Sequence, residues 1–156
     1  MCEVFAEIKQ GILLMGLYYL ARIDWKTQLV NERDLWILAV SGIILNVFLL
    51  FLQREQNILQ MQVVEELINI LSSMLIGGIL LLTAVLTKEQ IGVGDAYLFC
   101  VTGIFLDYMQ NITLLLGTLF LAGIFCMGSF FLKKKEKNDS VALIPFTLTA
   151  YVLFIL

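Results

Sequence analysis

Two acidic residues, Asp24 and Asp95, stand at the edges of apolar runs in a chain that is 60% hydrophobic and 15% charged. Asp24 follows the first run, in Arg22-Ile23-Asp24-Trp25-Lys26, and Asp95 closes Ile91-Gly92-Val93-Gly94-Asp95 just ahead of another. An ionisable group near membrane depth is costly to keep there, which makes it a functional candidate. Two carboxyls that meet can hydrolyse a peptide bond. One, ionised, takes a proton from water; the other, protonated, polarises the scissile carbonyl. Gly92 and Gly94 flank a single residue ahead of the second acid. Glycine permits unusual dihedrals and close approach of another backbone, which suits a site that must admit an extended peptide. These glycines do not form a dinucleotide fingerprint, because its third glycine would fall at Tyr97 and no strand precedes them. Two blander readings stay open. Asp95 could cap the helix that follows it, and Asp24 could be an interfacial loop residue.

Composition removes several other chemistries. The chain has no histidine, so Ser-His-Asp triads, Cys-His pairs and His-based zinc sites are excluded. Its three cysteines, Cys2, Cys100 and Cys126, are far apart and form no CxxC, so neither a zinc knuckle nor a disulfide framework is indicated. A net charge of −3 argues against a general nucleic-acid binder. No cofactor and no metal is expected.

The acids must be positioned by elements that belong in lipid. Soluble domains are about 45–50% apolar, and this chain, with a mean hydropathy of +0.93, exceeds that. The expected fold is all-α, a polytopic membrane protein of six transmembrane helices, with residues 1–156 forming one membrane-embedded domain. A span needs roughly 20 mostly apolar residues. The candidates are Val4–Ile23, Leu35–Leu52, Leu67–Leu86, Ala96–Tyr108, Ile112–Leu132 and Val141–Leu156. The fourth and sixth are short. Gln53–Glu66 is polar with interspersed apolar residues and fits an interfacial helix or a helical extension. No segment shows the period-2 alternation of a transmembrane barrel.

With six spans the loops alternate sides. One side receives Arg22, Lys26, Arg33, Lys88, Lys133, Lys134, Lys135 and Lys137, and the other only Lys9 and Arg54. The positive-inside rule assigns the first side to the cytoplasm and leaves both termini outside it. Asp24 and Asp95 then share the cytoplasmic membrane boundary. Glu32, Asp34 and Glu89 lie on that side and could attract a basic segment, although a solvated loop is the plainer reading. Lys133–Lys137 reads as a topology anchor on anionic lipid. Asn46, Asn69, Ser72 and Ser73 are candidates for hydrogen bonds between helices.

Gly92-Val93-Gly94-Asp95 resembles the GxGD signature of membrane-embedded aspartyl proteases. Its extension through Ala96-Tyr97-Leu98 is similar to the type IV prepilin peptidases. In that family an earlier aspartate follows a transmembrane helix and heads a stretch commonly ending Ile-Pro-Asn. Asp24 here heads a stretch ending Leu29-Val30-Asn31. Leu143-Ile144-Pro145-Phe146 resembles the family's Ile-Pro-Phe segment. The resemblance extends from about Ile8 to Leu156. The chain departs from the pattern at Val30, where the family commonly has proline, at Tyr97, where lysine is frequent, and at Thr147-Leu148, where Gly-Pro often follows.

The resemblance implies Asp24 and Asp95 as catalytic residues, with Gly92, Gly94, Asn31 and Pro145 supporting the motif. It implies a prepilin or pseudopilin-like precursor as substrate, cut where its basic leader leaves the membrane. The extra cytoplasmic region with paired cysteines found in bifunctional members is not seen here, which implies peptidase without methyltransferase activity. The implied site is the inner membrane, with the catalytic pair facing the cytoplasm. Helix dipoles suggest Asp95, opening a helix, as the more acidic of the pair, and Asp24, ending one, as the proton holder. Two alternatives remain from the residues alone, a small six-helix transporter and a family member that assists pilus or secretion assembly without catalysis.

Overall fold

The structure is a computed structural model that describes residues 2–27, 31–52, 59–86, 92–131 and 142–156. These residues form six α-helices: α1 (Cys2–Thr27), α2 (Glu32–Leu52), α3 (Leu59–Leu86), α4 (Val93–Phe105), α5 (Tyr108–Phe131) and α6 (Ile144–Phe154). No strand occurs among them. Apolar runs that cannot use water must satisfy their backbone internally, and a helix does so within one segment. The chain's one proline, Pro145, stands in the first turn of α6, where its missing N–H costs nothing.

The helices follow the apolar runs with two instructive shifts. From Leu59 the polar stretch before Glu66 is a continuation of α3, not a separate interfacial helix. Residues 53–58 lie outside the described residues. The fourth run ends at Phe105, and Tyr108 opens α5 instead. Asp107 stands just before α5, where Asp is a favoured residue. The Asp107 N–H donates to Gln110 Oε1 at 3.4 Å, and the Asn111 N–H donates to the Asp107 carbonyl at 2.9 Å. A two-residue turn therefore folds α5 back on α4.

α4 is the hub. It packs against α1, α2, α3 and α5, and Leu98, Phe99, Val101, Ile104 and Phe105 are buried in those contacts. Its crossing with α3 depends on two glycines. A Cβ on Gly103 would fall 2.8 Å from the Ser73 backbone, and one on Gly77 would fall 2.7 Å from Cys100 Cα. Small residues let helix backbones approach in this way. Asn111, fully buried on α5, locks the junction. Its Nδ2 donates to the carbonyls of Ser73 (3.0 Å) and Phe99 (3.2 Å), and its Oδ1 accepts from Thr102 Oγ1 at 2.8 Å.

α1 and α6 lie antiparallel and are tied at both ends. Tyr151 Oη donates to the Gln10 carbonyl at 3.1 Å, and the Ile144 N–H donates to Asp24 Oδ2, also at 3.1 Å. Lys9 Nζ pairs with Glu66 Oε1 at 3.2 Å, joining the first halves of α1 and α3.

Among the described residues, two helices are long and apolar enough to cross a membrane by length and composition: α3 over Val64–Leu86 and α5 over Tyr108–Gly128. Only 22% and 28% of their most apolar windows are buried inside the protein. Their apolar surface therefore faces outward, unlike that of a soluble core helix. Ile68, Leu71, Leu75, Ile79, Leu116 and Phe120 are all exposed. α4 and α6, with 13 and 11 residues, measure about 20 and 16 Å at 1.5 Å per residue. Alone they fall short of a bilayer's ~30 Å apolar core.

Candidate active site

Asp24 lies in the last turn of α1 and is 4% exposed, so it is not a loop residue. The neighbour that covers it comes from the far end of the chain. α6 begins at Ile144, and that residue's N–H points at Asp24 Oδ2. Pro145 follows and offers no N–H. The carboxyl of Asp24 thus sits at the N-terminus of α6, where the helix macrodipole favours negative charge. This corrects the dipole argument made from sequence, which considered only the helix that carries Asp24.

Asp95 is the third residue of α4. It does not cap that helix. The cap position belongs to Gly92, and no side-chain cap bond is made. The Asp95 and Ala96 N–H groups donate to the Gly92 carbonyl at 3.0 and 3.3 Å. Gly92 has φ −59° and ψ 123°, a conformation open to any residue. Space is the reason for glycine here. A Cβ at Gly92 would lie 2.9 Å from Asp95 Oδ2, so the Asp95 carboxyl is folded back over the bare α-carbon. Gly94 is half-buried in the same turn.

α1 and α4 pack together, and the two carboxyls at this end interact electrostatically. Both lie just beyond the apolar runs Val4–Ile23 and Ala96–Tyr108. Burial, and then the Asp24 charge, push the Asp95 pKa up to about 6. Burial also raises Asp24, and the Ile144 N–H pulls it back down. Such a pair can hold one proton between its members and present an ionised and a neutral carboxyl to one water. Among the described residues, no three His, Cys, Asp or Glu side chains gather as a metal site.

The sequence profile of the type IV leader peptidase family matches residues 11–127. The chain belongs to the type IV leader peptidase family. It is therefore a peptidase by family, and its outward-facing apolar helices agree with a membrane protein. No curated protein and no solved structure matches the chain. The family match takes in both aspartates and stops short of α6, so the Ile144–Asp24 contact adds to it independently.

The other residues singled out in this leader peptidase are dispersed. Asn31 is exposed just before α2, and its carbonyl accepts the N–H groups of Asp34 (3.1 Å) and Leu35 (3.5 Å). Its position is that of a helix cap. Glu32 is exposed in the first turn of α2. Asp34 is half-buried against α1, lining a groove. Glu89 and Lys133–Lys137 lie outside the described residues. The contributor that sequence reasoning missed is the main-chain N–H of Ile144. The Ile-Pro-Phe pattern pointed to Pro145, but a backbone donor has no side-chain signature.

Proposed function

We propose that this leader peptidase is an aspartic endopeptidase that uses Asp24 and Asp95 to cleave membrane-anchored precursors of the prepilin or pseudopilin kind. What supports this reading is that Asp24 and Asp95 stand on two helices that pack together, near enough for the Asp24 charge to act on Asp95. Asp24, facing the Ile144 N–H and the α6 N-terminus, is the ionised member and general base. Asp95, raised by burial and by its neighbour, carries the shared proton. Asp24 takes a proton from water as the water oxygen bonds to the scissile carbonyl carbon. Asp95 donates to the carbonyl oxygen. As the C–N bond breaks, the proton on Asp24 passes to the leaving amine, and Asp95 regains its own from the collapsing intermediate. No covalent enzyme intermediate is needed.

In this reading all six helices lie in the cytoplasmic membrane as one embedded domain. The short α4 and α6 reach across with their flanks or through a locally thinned bilayer. The Lys/Arg bias places the catalytic end at the cytoplasmic face and both termini outside. Trp25, Trp36 and Tyr97, all exposed, lie near the end of α1 and the starts of α2 and α4 and fit an interfacial aromatic belt. A precursor with a cytoplasmic leader would present its cleavage point at that depth.

The test is cleavage of candidate prepilins by the purified protein in lipid nanodiscs. The parent protein is expected to release the leader, and Asp24→Asn and Asp95→Asn are expected not to. Cleavage that survives either substitution at more than a tenth of the parent rate overturns the dyad.

A further inference from the structure

A groove of about 420 Å³ runs between α1 and α2. Met15, Tyr19 and Leu20 line it from α1, and Asp34, Ile37 and Ser41 from α2. Its rim is apolar and uncovered: Met15 is 75% exposed, Ile37 69% and Tyr19 56%. The Ser41 hydroxyl is already engaged, donating to the Leu38 carbonyl at 2.7 Å. One charge faces the groove, the half-buried carboxyl of Asp34. Among the described residues no cation pairs with it. Leu20 sits one helical turn before Asp24, on nearly the same face of α1. The groove therefore runs toward the candidate catalytic end.

We propose that this groove docks the apolar helix of the precursor, with a basic residue at that helix's cytoplasmic end paired to Asp34. The proposal deepens the peptidase reading and rests on it for the identity of the occupant. Charge complementarity selects that occupant. A lone carboxylate at the end of an apolar channel gains most from a cation delivered on an apolar stem. The lining along α1, from Ile12 to Leu20, covers about 12 Å. That length seats two turns of a helix through anchors spaced i, i+3, i+4 and i+7.

The experiment uses the full chain in nanodiscs with a synthetic single-span precursor that has lysine at its cytoplasmic end. A photocrosslinker is placed at Met15 or Ile37 in the groove, or at the exposed Ile79 on α3 as a control, each in the Asp24→Asn background. Crosslinks to the precursor from the two groove positions and not from Ile79 are expected. Asp34→Lys should raise KM at least tenfold with kcat little changed, and a precursor with glutamate in place of the lysine should restore it. Ser41→Phe should obstruct the groove and weaken crosslinking. Equal crosslinking at Ile79, crosslinks to lipid alone, or an unchanged KM in Asp34→Lys overturns the groove. Charge-dependent groove crosslinking without cleavage by the parent protein supports the groove and sinks the peptidase reading. Cleavage without groove crosslinking does the reverse.

Discussion

Two polar places among the described residues are built on opposite plans. At the α3–α4–α5 junction Asn111 is fully buried and makes three hydrogen bonds, to Ser73, Phe99 and Thr102. At the end where α1, α4 and α6 gather, two carboxyls share, among the described residues, one hydrogen bond from Ile144. At the first place the Asn111 amide is neutral and fully paired and joins three helices, while the buried Ser73 hydroxyl beside it has no partner among the described residues. The second is ionisable, leaves acceptor capacity unused among the described residues, and contains one carboxyl, Asp95, that burial and the Asp24 charge push up. Buried polar groups that are fully paired act as glue, whereas charged ones left with spare capacity are held ready for a ligand or for water.

The largest expected effects separate the two places outright. Asp24→Asn and Asp95→Asn should lower kcat by at least about 10³-fold, since each removes a proton-transfer partner, while the helical fold persists. Asn111→Ala should do the opposite. It removes three buried hydrogen bonds, to Ser73, Phe99 and Thr102, at a cost of about 1–3 kcal/mol, yet protein that remains folded should cleave at the parent rate. Circular dichroism melts paired with a cleavage assay read both. A fully stable Asn111→Ala, or a collapsed Asp95→Asn, would break the division.

A pH series sharpens it further. Catalysis in the proposed scheme needs one proton on the carboxyl pair. Cleavage should fall as pH rises through about 6, where Asp95 loses its proton. It should fall again at low pH as Asp24 protonates, above the ordinary value of 3.8. Stability follows by linkage. Asp95 binds its proton more tightly folded than unfolded, so its charge is a burden above about pH 6 that is relieved as pH falls. Asp95→Asn should therefore be more stable than the parent at pH 8, on the order of 1–2 kcal/mol, and lose that advantage by pH 5. The deficit of Asn111→Ala should not vary over this range, because no titratable group belongs to that junction. Parallel melting curves for all three proteins would contradict the assignment.

Much of this division was legible in the sequence, and the remainder was not, for identifiable reasons. Apolar runs set the helices because lipid and core alike demand internal backbone pairing, and the acids stood out because charge is costly beside such runs. The family resemblance agreed with the profile match over residues 11–127. What the sequence could not carry was contact between distant segments. The N-terminus of α6 meets Asp24 across 120 residues, and that contact opposes the α1 dipole at Asp24. Asn46 does bond across helices, its Nδ2 donating to the Ile104 carbonyl at 2.9 Å. Ser72, expected to behave the same way, instead donates within α3 to the Asn69 carbonyl at 2.9 Å. Ser73 joins α5 through its carbonyl. Asn111 went unremarked because a single amide in an apolar run carries no mark of which neighbours it will reach. The groove beside Asp34 depends likewise on how two helices cross.

The smallest expected effect tests the comparison at the level of one methyl group. Gly92→Ala places a Cβ 2.9 Å from Asp95 Oδ2, while Gly103→Ala places one 2.8 Å from the Ser73 backbone. The numbers are alike, but the obstacles are not. A carboxyl can swing aside by a few tenths of an ångström, and Gly92 already has dihedrals that alanine accepts. Gly92→Ala should therefore keep or slightly raise Tm, since alanine there restricts the unfolded chain. Its cost should appear in kcat, about threefold to tenfold, on a scale where a 1 Å misplacement costs about 10²-fold. KM should stay put. At Gly103 the obstacle is the backbone of a packed helix, which cannot yield without separating α3 from α4. Gly103→Ala should lose stability by about 1–3 kcal/mol and leave kcat of the folded fraction near the parent value. If Gly92→Ala retains full kcat, the Asp95 carboxyl does not need the position it occupies over Gly92, and the catalytic end of the bundle is less finely set than the junction that supports it.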